Sequence, residues 1–199
     1  MSARTLPLFP LSAVLFPAGP LSLRIFEPRY VDMVGRCMRE DSGFVVVLLV
    51  EGSEAGAGML TTAAMGTEAR IVDFDRLEDG LLGLTCIGAG RLRILRAWRQ
   101  DDGLNVGEVT DVDAEPGRPV PQDCAHLPEA LRRLYGELGP LYERVEPHWD
   151  DAAWVGNRLS ELAPLEPAVK QGLLELDDPV ERLRYLAPLI TIGAAGFNA

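Results

Sequence analysis

Few side chains in this 199-residue sequence are candidates for catalysis, and each has a competing structural use. Lys170 is the single lysine, set against 18 arginines. Paired with Ser160 it would make a Ser–Lys dyad. Ser160, however, falls mid-pattern in a helix, without the glycine-rich elbow or oxyanion signature that a nucleophilic serine needs. Gln171 follows Lys170, which excludes a G-x-x-x-x-G-K-[ST] phosphate loop. His126 and His148 are isolated, with no metal-ligand partners at helical spacing, and read as surface or linker residues. Asp73 and Asp75 share one side of a strand, as paired carboxylates would, but a solvated strand face accounts for them. Gly88-Ala89-Gly90 begins a G-x-G, yet Arg93 stands where a third glycine belongs and a strand follows, so it is not a dinucleotide loop. No catalytic residue, metal or cofactor is assigned.

Two stretches remain as candidate binding surfaces. One is the corner Phe26-Glu27-Pro28-Arg29-Tyr30, with Phe9 and Phe16 nearby in sequence. Glu27 and Arg29 suit a salt bridge that pins a strand-to-helix turn. The same corner offers a peptide-docking edge, where main-chain pairing gives affinity and aromatic pockets choose sequence. The other stretch is Arg91-Leu92-Arg93-Ile94-Leu95-Arg96-Ala97-Trp98-Arg99. Arg91, Arg93, Arg96 and Arg99 with Trp98 could stack on and neutralise a nucleic acid. The alternation breaks at Leu95-Arg96, and a solvated face pairing with neighbouring acids is the simpler account.

Charge bears on that choice. Residues 1–100 carry 11 acids and 11 arginines, whereas residues 101–199 carry 19 acids against 8 bases, the source of the whole net charge of −11. An acidic half opposes non-specific binding to nucleic acid or anionic membranes. The longest apolar run, Phe44 to Val50, has seven residues, too few to span a bilayer. Prolines interrupt residues 6–20, so no secretory leader is expected. Cys37, Cys86 and Cys124 are odd in number and widely spaced, which points to buried thiols in a reducing, cytoplasmic compartment.

The elements that would carry these residues are set by local pattern. Leu6–Leu11 and Leu21–Ile25 read as short strands around a proline-cornered loop, and Pro28 suits the first turn of a helix over Pro28–Asp41. Tyr30, Val31, Val34, Cys37 and Met38 form its apolar stripe, and Ser42-Gly43 ends it. Phe44–Val50 is a β-branched run expected in the middle of a sheet, buried on both faces. Glu51–Gly58 reads as a loop. Short strands follow over Gly66–Phe74, Leu81–Ile87, Arg91–Trp98 and Asn105–Thr110, with turns at Asp79-Gly80, Gly88-Ala89-Gly90 and Asp102-Gly103. That spacing predicts a small antiparallel barrel or a strongly bent sheet. Glu115–Pro121 is a proline-rich linker dividing domains at 1–115 and 119–199. Leu127, Leu131, Leu134, Leu138, Leu141 and Val145 keep helical steps across a break at Gly139-Pro140. Further helices are expected over about Asp150–Leu162, from Glu166-Pro167, and from Asp178-Pro179-Val180-Glu181, which resembles a capping box.

The stretch LPLFPLSAVLFPAGPLSLRIFEPRY resembles the N-terminal, substrate-recognising domain of the Lon protease, in the short stand-alone form that bacteria carry. Gly66–Ile71, Asp79-Gly80, Ile87–Ile94 and Val169–Leu183 resemble later parts of the same domain, and cereblon contains a relative. The resemblance implies an α+β fold: a PUA-like β-barrel, a bent antiparallel sheet with one inserted helix, followed by a C-terminal helical bundle. The Ser–Lys dyad of the Lon (S16-type) peptidase and its phosphate loop are not found here. It implies a non-enzymatic polypeptide-recognition protein whose partners are polypeptide substrates or a partner protein, with a homodimer allowed. Peptide contacts are expected at Phe9, Phe16, Phe26, Glu27, Arg29 and Tyr30. RNA binding on the Arg91–Arg99 strand is the alternative.

Overall fold

The computed structural model describes residues 3–51 and 61–190. The chain divides into two compact units, Met1–Asp113 and Ala114–Ala199. Among its described residues the first carries six strands and one helix: β1 Arg4–Leu11, β2 Pro20–Ile25, α1 Pro28–Glu40, β3 Phe44–Glu51, β4 Thr61–Arg76, β5 Leu82–Arg99 and β6 Asn105–Asp111. The expected loop over Glu51–Gly58 lies, beyond Glu51, outside the described residues.

The six strands form one sheet in the order β2-β5-β4-β3-β1-β6, and β5 also pairs with β6. β3 sits between β4 and β1, as an unbroken apolar run requires. Phe44 and Val46 face a core with Phe9, Tyr30, Met33, Val34 and Cys37, while Val45 and Val47 face a second one with Leu6, Leu8, Leu92 and Val109. The sheet is not wholly antiparallel. β1 pairs parallel with β3, Leu8 opposite Val45, because β2 and α1 intervene and carry the chain across before it re-enters the sheet.

Two turns match their residue chemistry: Gly80 (φ 84°) and Gly103 (φ 82°) take the left-handed conformation that closes each hairpin. The turn expected at Gly88-Ala89-Gly90 does not exist. β5 runs straight through it for 18 residues. Gly88 is small for a different reason: a Cβ there would meet the Phe16 carbonyl oxygen at 2.3 Å, and Ala18 N–H donates to Gly88 O at 2.8 Å. The N-terminal loop is thus laid directly on the strand backbone.

α1 differs from its expected stripe. Tyr30, Met33, Val34 and Cys37 are buried, but Val31 and Met38 are exposed. Its left-handed C-terminal residue is Asp41 (φ 48°) rather than Gly43. Gly43 is held small by β4, since a Cβ would meet Ala69 O at 2.6 Å.

The second unit holds α2 His126–Tyr135, α3 Ala152–Leu162, α4 Pro167–Glu175 and α5 Pro179–Leu186. α3 contacts the other three and is buried on most of its circumference, including Trp154, Val155, Arg158, Leu159 and Ser160. Asp151 caps α3 through Ala153 N–H at 3.1 Å, and Asp178 caps α5 through Val180 N–H at 2.9 Å. α2 stops at Tyr135, before Gly136, so the leucine pattern continues past it in turns and a short 3-10 segment, with Val145 buried. The proline-rich stretch is no free linker. Ala152 N–H donates to Arg118 O at 2.8 Å, and Arg118 Nη1 pairs with Asp178 at 2.9 Å. Glu115 accepts two hydrogen bonds from the buried Arg182, at 2.7 and 2.8 Å.

Candidate functional site

At the strand-to-helix corner, Glu27 precedes α1 and Pro28 opens it. Arg29 points inward, 2.7 Å from Glu27 and 2.9 Å from the Gly103 carbonyl, to which Nη1 donates. Its guanidinium lies 4.7 Å from the Tyr30 ring centroid, and that ring packs on Phe9 at 4.3 Å. Phe9, Phe16 and Tyr30 are buried, Phe16 completely. Of the six residues expected to meet a peptide, these three and Arg29 are therefore shielded from any ligand and serve the core. Phe26 differs. It is 61% exposed.

On β5, Arg91 is buried and donates to the Asp113 carbonyl at 3.4 Å, leaving the exposed face. Arg93, Arg96, Trp98 and Arg99 are exposed. Arg96 sits 5.4 Å from the Trp98 ring centroid, and Arg99 Nε donates to Gly103 O at 3.1 Å. The break in alternation at Leu95 is a register shift against β6, beyond which Arg96 lies opposite Glu108. The arginines thus form no single ladder.

A third place was not assigned from sequence. Cys37, Met38, Asp41 and Ser42 at the end of α1 and Arg70–Phe74 of β4 enclose a groove of about 260 Å³. Val72 (49%), Phe74 (54%) and Met38 (45%) are exposed there. Arg70 pairs with Asp41 at 3.2 Å and with Glu68 at 3.4 Å. Apolar residues at 72 and 74 read in sequence as the inward set of an alternating strand. The expected strand, Gly66–Phe74, gives no warning of this: β4 runs sixteen residues against eight in β3, so part of it outruns its neighbour.

The remaining candidates are occupied structurally. Ser160 Oγ donates to Gly156 O at 2.8 Å, and Lys170 Nζ donates to Glu161 O at 2.7 Å, so the two do not form a dyad. Around them lies a buried cluster. Arg158 meets the Glu161 carboxylate at 2.8 Å and Tyr142 O–H donates to it. Burial pushes the Glu161 carboxyl up against the pull of Arg158, and pushes the Lys170 ammonium down. His126 lies 3.4 Å from Ala187 O, and His148 stacks edge-on to Trp154 in a group with Tyr135 and Trp149. Asp73 and Asp75 are exposed, Asp73 accepting from the Phe74 N–H at 2.9 Å. No group of three metal-ligating side chains occurs among the described residues. Among those residues, no helix is long and apolar enough to cross a membrane.

Comparison with known proteins gives these surfaces a context. The Lon protease of Xanthomonas oryzae is 23% identical over 193 residues, covering 93% of this chain and 22% of that protein. A fission-yeast protein named for a LON peptidase N-terminal domain and a RING finger is 24% identical, covering 89% of this chain and 43% of its own length. The chain thus spans less than half of the curated relatives it matches. A crystal structure of a Lon N-terminal domain protein from Xanthomonas campestris superposes with TM-score 0.79 at 38% identity, covering 94% of this chain and 99% of the other. The N-terminal domain of a Mycobacterium avium complex Lon protease shares the fold at 17% identity and TM-score 0.61. The family described as the ATP-dependent protease La (LON) substrate-binding domain matches residues 5–191, and the chain belongs to it.

Proposed function

We propose that this protein binds polypeptides without chemically altering them, recognising apolar segments as a Lon-type recognition domain separated from ATPase and protease modules. The observation that carries the reading is the exposure of Phe26, Met38, Val72, Phe74, Leu95 and Trp98 on the strand-rich unit of a chain in a substrate-binding family. Singly scattered apolar side chains are ordinary, but Met38, Val72 and Phe74 are exposed around one groove, and contiguous exposed apolar surface marks an interaction site. In this reading the β5–β6 pairing closes β5, β4, β3, β1 and β6 into a small PUA-like barrel, and the second unit is a helical bundle. The protein works in the cytoplasm.

The test is fluorescence anisotropy of a labelled, reduced and alkylated unfolded protein, titrated at low and at high salt, with single-stranded RNA as a second probe. Apolar recognition predicts polypeptide binding that barely responds to salt. RNA bound in preference, with affinity falling steeply as salt rises, would replace this reading with one centred on Arg93, Arg96 and Trp98.

A further inference from the structure

β4 outruns its neighbour. β3 pairs with it from Thr61 to Ala69, where Phe44 begins the strand. Beyond Ala69, residues 70–76 pair only with β5 among the described strands. Alternate backbone groups on the other side of that segment therefore lack a ladder. Phe74 shows what they do instead: its N–H is satisfied by the adjacent Asp73 carboxylate, at 2.9 Å, and not by a strand. Beside this edge runs the groove lined by Cys37 and Ile71 and by the exposed apolar side chains Met38, Val72 and Phe74.

We infer that this edge accepts an extended polypeptide segment as an added strand along Arg70–Arg76, with alternate apolar residues in the groove and lysine or arginine between them. The inference rests on the polypeptide-recognition reading and gives it a place and a mode. The added strand lies where β3 would lie had it begun several residues earlier. The ladder selects an extended main chain, and the groove selects apolar side chains at every second position. Charge selects the residues between. Arg70 and Asp41, which both line the groove, are paired with each other, and Arg76 ends the segment, so the acids facing the edge are Asp73 in the groove and Asp75 beyond it. The outer edge of β2 is the competing site. It opens with Pro20, which has no N–H to donate, and carries no exposed large apolar side chain.

The test uses the whole protein and a short peptide alternating valine and lysine, followed by amide NMR and hydrogen exchange. Binding should shift and protect amides within residues 70–76. N-methylating alternate peptide bonds along one edge of the peptide should abolish binding, and methylating the opposite edge should leave it. Val72→Ser with Phe74→Ser should weaken the wild-type interaction roughly tenfold or more. Equal tolerance of both methylation patterns, or protection elsewhere on the chain, overturns strand addition here. If the unfolded protein still binds in that case, polypeptide recognition survives while the edge does not. If neither probe binds, both fall. Self-association of the protein through the same amides, lost in the double variant, would replace the peptide by a second copy.

Discussion

Replacing Glu115 by alanine removes the carboxylate held against a guanidinium with no exposed surface. Arg182 makes four hydrogen bonds: two to Glu115 at 2.7 and 2.8 Å, and one each to the Leu173 and Leu176 carbonyls at 2.8 Å. The substitution deletes two charge-assisted bonds, each contributing about 1.5–3 kcal/mol. It also strands a buried cation, and breaking such a pair costs about 3–5 kcal/mol in total. Against a typical domain stability of about 5–15 kcal/mol, that is a large fraction. Urea unfolding followed by tryptophan fluorescence, in a Trp98→Phe background, reads the helical unit through Trp149 and Trp154. A further variant isolates the cause: Glu115→Leu with Arg182→Met should cost less than Glu115→Ala, because no charge is left behind. A loss below about 1 kcal/mol for Glu115→Ala, the range of an exposed ion pair, would show that water reaches Arg182 and would refute the argument.

Gly88→Ala should destabilise the strand-rich unit by about 1–3 kcal/mol in thermal unfolding, because its Cβ collides with the Phe16 carbonyl. Gly90→Ala, with nothing within 4 Å of the new carbon, should be neutral or mildly stabilising by the same measurement. Arg29→Ala should cost about 2–4 kcal/mol through its lost bonds to Glu27 and Gly103. Phe26→Ser should change stability by less than about 0.5 kcal/mol in the same denaturation experiment. Lys170, as the single lysine, gives one lysine resonance, distinct from that of the α-amine, after reductive ¹³C-methylation, and it should titrate below the ordinary lysine value. A depressed folded-state value means that the unfolded chain binds more protons between it and about 10.4, so this group makes stability rise with pH across that window. Lys170→Met should remove that slope.

What could be read from sequence was local chemistry. Asp79-Gly80 and Asp102-Gly103 close hairpins, Pro28 opens α1, and Asp178 caps α5, since in each case the deciding contact lies within a few residues. Apart from α2, which stops before Gly136 and not at Gly139-Pro140, the failures involve distant partners. Gly88 looks like a turn residue until the Phe16 loop is laid against it. Glu115 sits among prolines, and its partner is 67 residues away. Of the corner's aromatics only Phe9 and Tyr30 pack together, Phe26 is exposed, and these differences in burial depend on the sheet that α1 covers. Val72 and Phe74 have the pattern of inward residues, and their exposure follows from where β3 happens to start.

The pairing of β1 on both sides has a consequence for synthesis. Of the described strands Arg4–Leu11 is made before the others, yet its partners are Phe44–Glu51 and, later still, Asn105–Asp111. At about 5–20 residues per second, roughly 5–20 seconds of translation separate the first strand from its final neighbour. During that interval the nascent chain carries β1 without the last strand that pairs with it, and β5 is completed only shortly before β6. Its folding must therefore wait for β6 to emerge, and the growing chain is itself an exposed apolar polypeptide until it does.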